Sequence, residues 1–197
     1  MAEITRKELI LALAALPLQP PRGQNFCGRL AGVDLSGLDL SGLRLMHLDM
    51  SRANLRGCNL SYTDAEGCNL DYADLSDTTC THFFASDALF TKTKFVNAKL
   101  IEASGDAGNF EQADFTGAEL RGCWFYGARF GFADFTKATA IGCKFDGSWF
   151  YKNRWRRFRT TDCEWKDLET VRGKKLLLPF LSNGRGSRKV VRHAKTK

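Results

Sequence analysis

Residues 110–135 read FEQADFTGAELRGCWFYGARFGFADF, and a large apolar side chain recurs in this stretch at every fifth position. The same phase holds from residue 30 to residue 150, where 20 of the 25 positions divisible by five hold Leu, Phe or Met. Two residues before each of these positions the side chain is usually small: 21 of the 25 hold Ala, Cys, Thr, Ser, Gly or Val. A repeat of five residues therefore organises the chain.

A period of five fits neither a helix, whose period is about 3.6 residues, nor a strand, whose period is about 2. Five residues that turn one corner, with four corners to a circuit, explain it. Residues 20 apart in sequence then stack at about 4.8 Å, the spacing of neighbouring strands. The repeat units predict about six circuits and a rod about 30 Å long.

The individual units resemble those of a known family. Residues 53–57 (ANLRG), 73–77 (ADLSD) and 113–117 (ADFTG) are similar to the A(D/N)LXX unit of the pentapeptide-repeat family. The resemblance covers residues 26–165 and implies an all-β fold, a right-handed quadrilateral β-helix in which the large central residue and the small residue before it point inward. It does not imply one function, because members of the family have diverse roles.

Stacking at a spacing of 20 residues predicts how the core changes along the rod. Leu occupies the central sites of the early circuits and Phe those of the later ones. The central sites Ala65, Ala85 and Gly105 fall in one column and leave it short of volume, which the bulky Phe83 would fill in part. We therefore expect a local irregularity, a bulge or a surface groove near residues 80–107.

The segments that flank the repeats are expected to close its ends. Residues 1–25 are expected to form a capping helix, with Thr5 and Glu8 as its capping box, followed by a connection rich in Pro. Residues 166–183 are assigned to a C-terminal cap and residues 184–197 to a basic tail. The apolar residues of this cap would cover the open end of the β-helix, and dimerisation or docking on another protein through the same residues is the alternative. They are Leu176, Leu177, Leu178 and Phe180.

Charge separates the rod from its C-terminal end. The whole chain carries a net charge of +7, yet residues 1–151 hold 14 basic against 18 acidic side chains. Residues 152–197 hold 15 basic against 4 acidic side chains, which indicates binding of nucleic acid or another polyanion there. The candidate residues are Arg154, Arg156, Arg157, Arg159, Lys174, Lys175, Arg185, Arg188, Lys189, Arg192, Lys195 and Lys197.

No pattern in the sequence predicts a catalytic residue, a metal site or a cofactor. The seven Cys include no CxxC pair, and five of them occupy the small inward site, so they are interpreted as core residues in a reducing compartment. Cys123, Cys143 and Cys163 fall in one internal column. The Asp residues follow the repeat and are expected to form hydrogen bonds with the backbone or with neighbouring side chains. No apolar run is long enough to span a membrane, and we expect a cytoplasmic protein without membrane contact.

The leading functional hypothesis is a non-catalytic interaction protein. A rigid rod would dock on a protein partner while its basic end contacts nucleic acid or another polyanion, within a larger nucleoprotein or viral assembly. Two alternatives stay open: a regulator of type II topoisomerase that mimics DNA, as the quinolone-resistance members of the family do, and a secreted bacterial effector. A topoisomerase regulator that mimics DNA needs a strongly acidic rod. Residues 28–150 hold 16 acidic and 11 basic side chains, a net charge of only −5.

Overall fold

The computed structural model describes residues 5–17, 19, 22 and 25–168. Among these residues there is one helix, α1 (Arg6–Ala14), and seven short strands follow it in chain order. They are β1 (Gly28–Arg29), β2 (Leu48–Asp49), β3 (Thr79–Thr81), β4 (Lys99–Ile101), β5 (Glu119–Arg121), β6 (Thr139–Ile141) and β7 (Arg159–Thr161). Strands β1 and β2 form a parallel pair, and β3 to β7 form a five-stranded parallel sheet in sequence order.

Four ladders of parallel bridges, each with a register of 20 residues, confirm the β-helix. Ladder I runs from Asp34 to Arg154, ladder II from Asp39 to Arg159, ladder III from Arg44 to Glu164 and ladder IV from Arg29 to Trp149. Each ladder forms one face of the rod, and the chain passes through them in rotation. The solenoid has about seven turns, one more than expected, because the ladders continue beyond residue 150 to Glu164.

The corners between faces explain the Asp and Asn of the repeat. The Oδ1 atom of Asp134 accepts a hydrogen bond of 2.9 Å from the backbone N–H of Thr136, and Asp34 accepts one of the same length from Ser36. The bond to Ser36 also holds the pKa of Asp34 below its ordinary value. The residue after each of these, such as Lys137 (φ 62°), takes the left-handed conformation that completes the corner. The prediction that these carboxylates serve the backbone is confirmed.

Stacked aromatic rings fill the C-terminal half of the core. The ring of Phe115 is fully buried and lies 4.8 Å from the ring of Phe95 and 5.0 Å from that of Phe135, in nearly parallel planes. A second stack places Phe110 between Phe90 and Phe130. Stacking follows from the register, since identical side chains one turn apart lie at the strand spacing.

The small inward site also accommodates hydroxyl and thiol groups, and the structure shows how they are satisfied. The Thr63 hydroxyl donates to the carbonyl of Leu40 (2.9 Å), and the Thr93 hydroxyl donates to that of Leu70 (2.6 Å). The Cys58 thiol donates in the same way, to the carbonyl 23 residues earlier. A buried polar group with a partner costs little, so these side chains replace Ala without disturbing the core.

The prediction of a bulge near residues 80–107 is wrong. The bridges Phe84–Ser104 and Leu89–Asn109 continue the ladders through this segment without interruption. Phe83 is buried as expected, and the rings of Phe110 and Phe125 extend over Gly105, where a Cβ atom would lie 2.7 and 3.0 Å from them. Aromatic side chains from neighbouring positions thus fill the volume, and the backbone does not need to move.

Helix α1 packs on the first turn of the solenoid. Thr5 and Glu8 form the predicted capping box, and Leu9 is fully buried. Arg6 donates hydrogen bonds to the carbonyls of Asp39 and Ser41, the latter at 2.9 Å. At the other end, the cap residues Leu176, Leu177, Leu178 and Phe180 and the tail 184–197 lie outside the described residues.

Candidate functional site

The last turn of the solenoid gathers five cations on its outer surface. We call residues 152–159 the basic turn; its outward side chains are Lys152, Arg154, Arg156, Arg157 and Arg159, and all five residues are exposed. Inward and outward positions alternate as the repeat predicts, because Phe158 is buried and the half-buried ring of Trp155 stacks on Phe135 at 4.8 Å. The core thus fixes the direction in which the cations point.

The five cations cover two adjacent faces of the rod. Arg154 closes ladder I and Arg159 closes ladder II, and the corner between those faces carries Arg156 and Arg157. The other two faces differ: Glu164 in ladder III pairs with Lys144 (3.9 Å) and Lys166, and Trp149 ends ladder IV. The positive charge therefore lies on one side of the rod.

One of the five cations has a carboxylate partner among the described residues. Arg154 pairs with Asp134 at 3.3 Å, as the 20-residue stacking predicts. Partial burial acts to raise the pKa of Asp134, but hydrogen bonds from Thr136 and Arg154 outweigh it and hold the pKa below its ordinary value. Within the described part of the chain, no carboxylate lies within 4.0 Å of the cationic groups of the other four. Their charge is available to an anionic partner.

Aromatic side chains border the basic turn on the ladder IV side. The indole of Trp149 lies over Gly131, where a Cβ atom would approach it to 2.2 Å, and Arg129 stands over the same ring at 5.6 Å. Phe132 is 47% exposed and meets the Tyr151 ring edge-on at 5.2 Å. The Lys152 ammonium lies 5.9 Å from the Phe132 ring and 5.1 Å from the Tyr151 ring.

Reasoning from the sequence missed the role of Phe132 in this border. It did not single out Phe132, although the repeat phase puts residue 132 at an outward corner. The structure brings Arg154, Arg156, Arg157 and Arg159 together as predicted. The remaining candidates lie outside the described residues and stay predictions: Lys174, Lys175, Arg185, Arg188, Lys189, Arg192, Lys195 and Lys197.

Most of the thiols belong to the core of the solenoid. All seven Cys are free, and five of them are buried. Burial raises the pKa of Cys58 to about 11 and that of Cys68 to about 12. Hydrogen bonding with Cys123 raises the pKa of Cys143 to about 12, and the Cys143 backbone N–H donates to the Cys163 sulfur at 3.4 Å. No group of three or more potential metal ligands occurs in the part of the chain that the structure describes.

The same described residues include no helix that is long and apolar enough to cross a membrane.

The family model for pentapeptide repeats matches the chain in eight copies over residues 29–61, 49–79, 68–104, 108–131 and 113–150. No curated protein matches it significantly.

Solved structures with a similar fold include QnrB1, a plasmid-mediated fluoroquinolone resistance protein. Its trypsin-treated form superposes with a TM-score of 0.65 at 23% identity and covers 68% of each chain. The full-length form gives a TM-score of 0.56 at 17% identity over 72% of this chain and 84% of that one.

HetL from the cyanobacterium Nostoc sp. strain PCC 7120 matches at 21% identity over 85% of this chain and 95% of its own, with a TM-score of 0.47. The two QnrB1 structures establish similarity of fold alone, since their sequences are distant. The repeat register and the matched residues together show that this chain belongs to the pentapeptide-repeat family.

Proposed function

We propose that the protein is a non-catalytic interaction protein that docks on a protein partner through its faces and contacts nucleic acid or another polyanion through its basic turn. The observation that carries this proposal is the set of four outward cations, Lys152, Arg156, Arg157 and Arg159, at the end of a rod that is otherwise net acidic. Cations that neutralise phosphates release counterions, so such a cluster binds polyanions in a salt-dependent way.

Exposed apolar side chains support docking on a protein. Phe84 (50% exposed) in ladder III, Leu89 in ladder IV and Tyr126 at the corner between them lie around one edge of the rod. Large apolar groups that are exposed close together are typical of protein interfaces. The rigid ladders hold this edge at a fixed distance from the basic turn, which suits a protein that connects two partners.

The experiment that tests the polyanion contact compares two variants at several salt concentrations. Replacing Arg156 and Arg157 by Gln should weaken binding to a duplex DNA and reduce the slope of log K against log salt by about 1 to 2, since each neutralised phosphate contributes about 0.9. Lys99→Gln, which removes an exposed cation from the middle of the rod, is the matched control and should change neither quantity. Equal binding by both variants would contradict the proposal, as would wild-type protein that binds no polyanion.

A second candidate function rests on the acidic side chains of the same edge between ladders III and IV. Glu66, Asp106 and Asp146 lie in one column at the corner between ladders III and IV, and Asp87 lies beside them. This acidic edge suits a basic protein surface, as a DNA-mimicking regulator of type II topoisomerase would require. A supercoiling assay with gyrase, with and without a quinolone, tests this candidate, and unchanged supercoiling and unchanged drug sensitivity would exclude it.

A further inference from the structure

Cations and aromatic rings share one edge of the rod, between ladders IV and I. One residue per turn occupies the left-handed corner position of this edge, with φ between 52° and 62° from the second turn onward. We call these residues the aromatic–cation edge: Arg52, Tyr72, Lys92, Gln112, Phe132 and Lys152. A corner in this conformation directs its side chain to solvent, so the aromatic rings here are not part of the core.

Both rings of the edge are exposed; cations lie on both sides of Tyr72 and on one side of Phe132. Tyr72 is 50% exposed, with Arg52 at 5.5 Å and Lys92 at 5.2 Å from its ring centre on the neighbouring turns. Phe132 is 47% exposed, with Lys152 at 5.9 Å. Three turns separate the two rings, or about 14 Å at the strand spacing. The same combination of ring and cation thus occurs twice along one line.

The column of the edge contains no carboxylate, and the acidic side chains beside it are engaged. Asp71 accepts a hydrogen bond of 2.6 Å from the backbone N–H of Thr91. Glu111 pairs with Arg129 at 2.6 Å. The edge therefore carries three cations, Arg52, Lys92 and Lys152, and leads directly into the basic turn at Lys152.

We propose that the aromatic–cation edge binds single-stranded nucleic acid, with unpaired bases stacked on Phe132 and Tyr72 and phosphates held by Lys152 and the arginines of the basic turn. This inference rests on the proposed polyanion contact and narrows its ligand. Any polyanion satisfies the cations, but exposed rings between them add affinity only for a ligand with free aromatic faces. Single strands offer such faces, whereas the bases of a duplex are already stacked on one another.

The test measures binding of three labelled or competing probes at fixed salt: an oligothymidine of about 20 nucleotides, a duplex of the same length and inorganic polyphosphate. A stacked base contributes a factor of about ten in affinity. Phe132→Ala should therefore weaken oligothymidine binding about tenfold, Tyr72→Ala should weaken it by a similar factor, and both should leave duplex and polyphosphate binding unchanged. Neither variant changes a charge, so the salt slope for oligothymidine should stay the same.

Tyr62→Ala is the matched control. Tyr62 has the same corner conformation (φ 60°) and is 62% exposed, but it lies on the edge between ladders II and III, where its ring is tilted against that of His82 at 5.0 Å. The Tyr62→Ala variant should bind all three probes like the wild type. Thermal unfolding followed by circular dichroism should show that Phe132→Ala, Tyr72→Ala and Tyr62→Ala fold equally well.

The outcomes separate this inference from the proposed function. If the wild type binds polyphosphate and duplex as well as it binds oligothymidine, and Phe132→Ala has no effect, the single-strand inference is overturned while the polyanion contact stands. If no probe binds, both fail. If Phe132→Ala weakens oligothymidine and duplex equally, the ring acts on the arrangement of the cations and stacking is refuted.

Discussion

Replacing Phe115 by Ala should be among the most destabilising single changes in the rod. The side chain is fully buried, stacked between Phe95 (4.8 Å) and Phe135 (5.0 Å), and it also meets Phe110 and Phe130 at ring distances of about 6 Å. Truncation of a buried Phe to Ala costs about 3–5 kcal/mol, because transfer free energy is lost and a cavity forms. The regular ladders above and below prevent collapse into that cavity, so we expect about 4 kcal/mol.

Two matched variants show whether this loss comes from packing. Phe115→Leu should cost about 1–1.5 kcal/mol, since Leu75 fills the same column two turns earlier and a smaller cavity remains. Phe132→Ala removes the same atoms from an exposed site and should cost less than about 0.5 kcal/mol.

Urea unfolding followed by circular dichroism measures all three changes in the free energy of unfolding. At about 3 °C per kcal/mol for a chain of this size, Phe115→Ala should also lower the melting temperature by about 12 °C. A loss below about 1.5 kcal/mol, or a loss equal to that of Phe132→Ala, would refute the conclusion that the Phe stacks are the rigid core of the C-terminal half. An unchanged urea m value is needed for the comparison, because a solenoid can unfold in parts.

Three further predictions concern the packing of Trp149 on Gly131, the thiols and the carboxylates. Gly131→Ala should displace the Trp149 ring from Gly131 and shift tryptophan emission to longer wavelength, whereas Gly142→Ala, with nothing within 4 Å of its Cβ, should not. The five buried thiols should react with Ellman's reagent only on unfolding, since burial excludes the reagent and raises the pKa of Cys58 to about 11 and that of Cys68 to about 12; rapid reaction of more than the two half-exposed thiols in native protein would contradict this. The folded-state pKa of carboxylates such as Asp134 is lowered, so their stabilisation is complete above about pH 5 and is lost as pH falls below about 4; urea midpoints against pH should show this, and Asp134→Asn should flatten the curve.

The sequence was sufficient to predict the register because one geometric rule is repeated in it. A central residue at every multiple of five must enter the core, so the repeat alone places Leu35 and Phe135 in one column. The same rule showed that Arg154 stacks on Asp134 and that Arg156 points outward. Predictions of this kind depend on backbone position alone, which the repeat specifies.

Features that depend on how side chains share space could not be predicted in this way. The volume missing at Gly105 suggested a bulge, but the rings of Phe110 and Phe125 cross into that space from their own positions. The contact of the Trp149 ring with Gly131 likewise involves two residues that are 18 apart in sequence and therefore not in register. The exposed rings Tyr72 and Phe132 were overlooked because the phase gives direction only, and their significance comes from the cations beside them.

The 20-residue register also ties the length of the rod to the number of residues in it. Each set of 20 residues adds about 4.8 Å along one axis, whatever its outward side chains are. Gain or loss of a whole set would lengthen or shorten the gap between helix α1 and the basic turn and leave the faces aligned. Gain or loss of five residues would instead rotate everything beyond it by a quarter of a circuit, carrying the arginines to a different side. The distance between partners bound at the two ends would therefore change in the first case, and their relative orientation about the rod axis would change in the second.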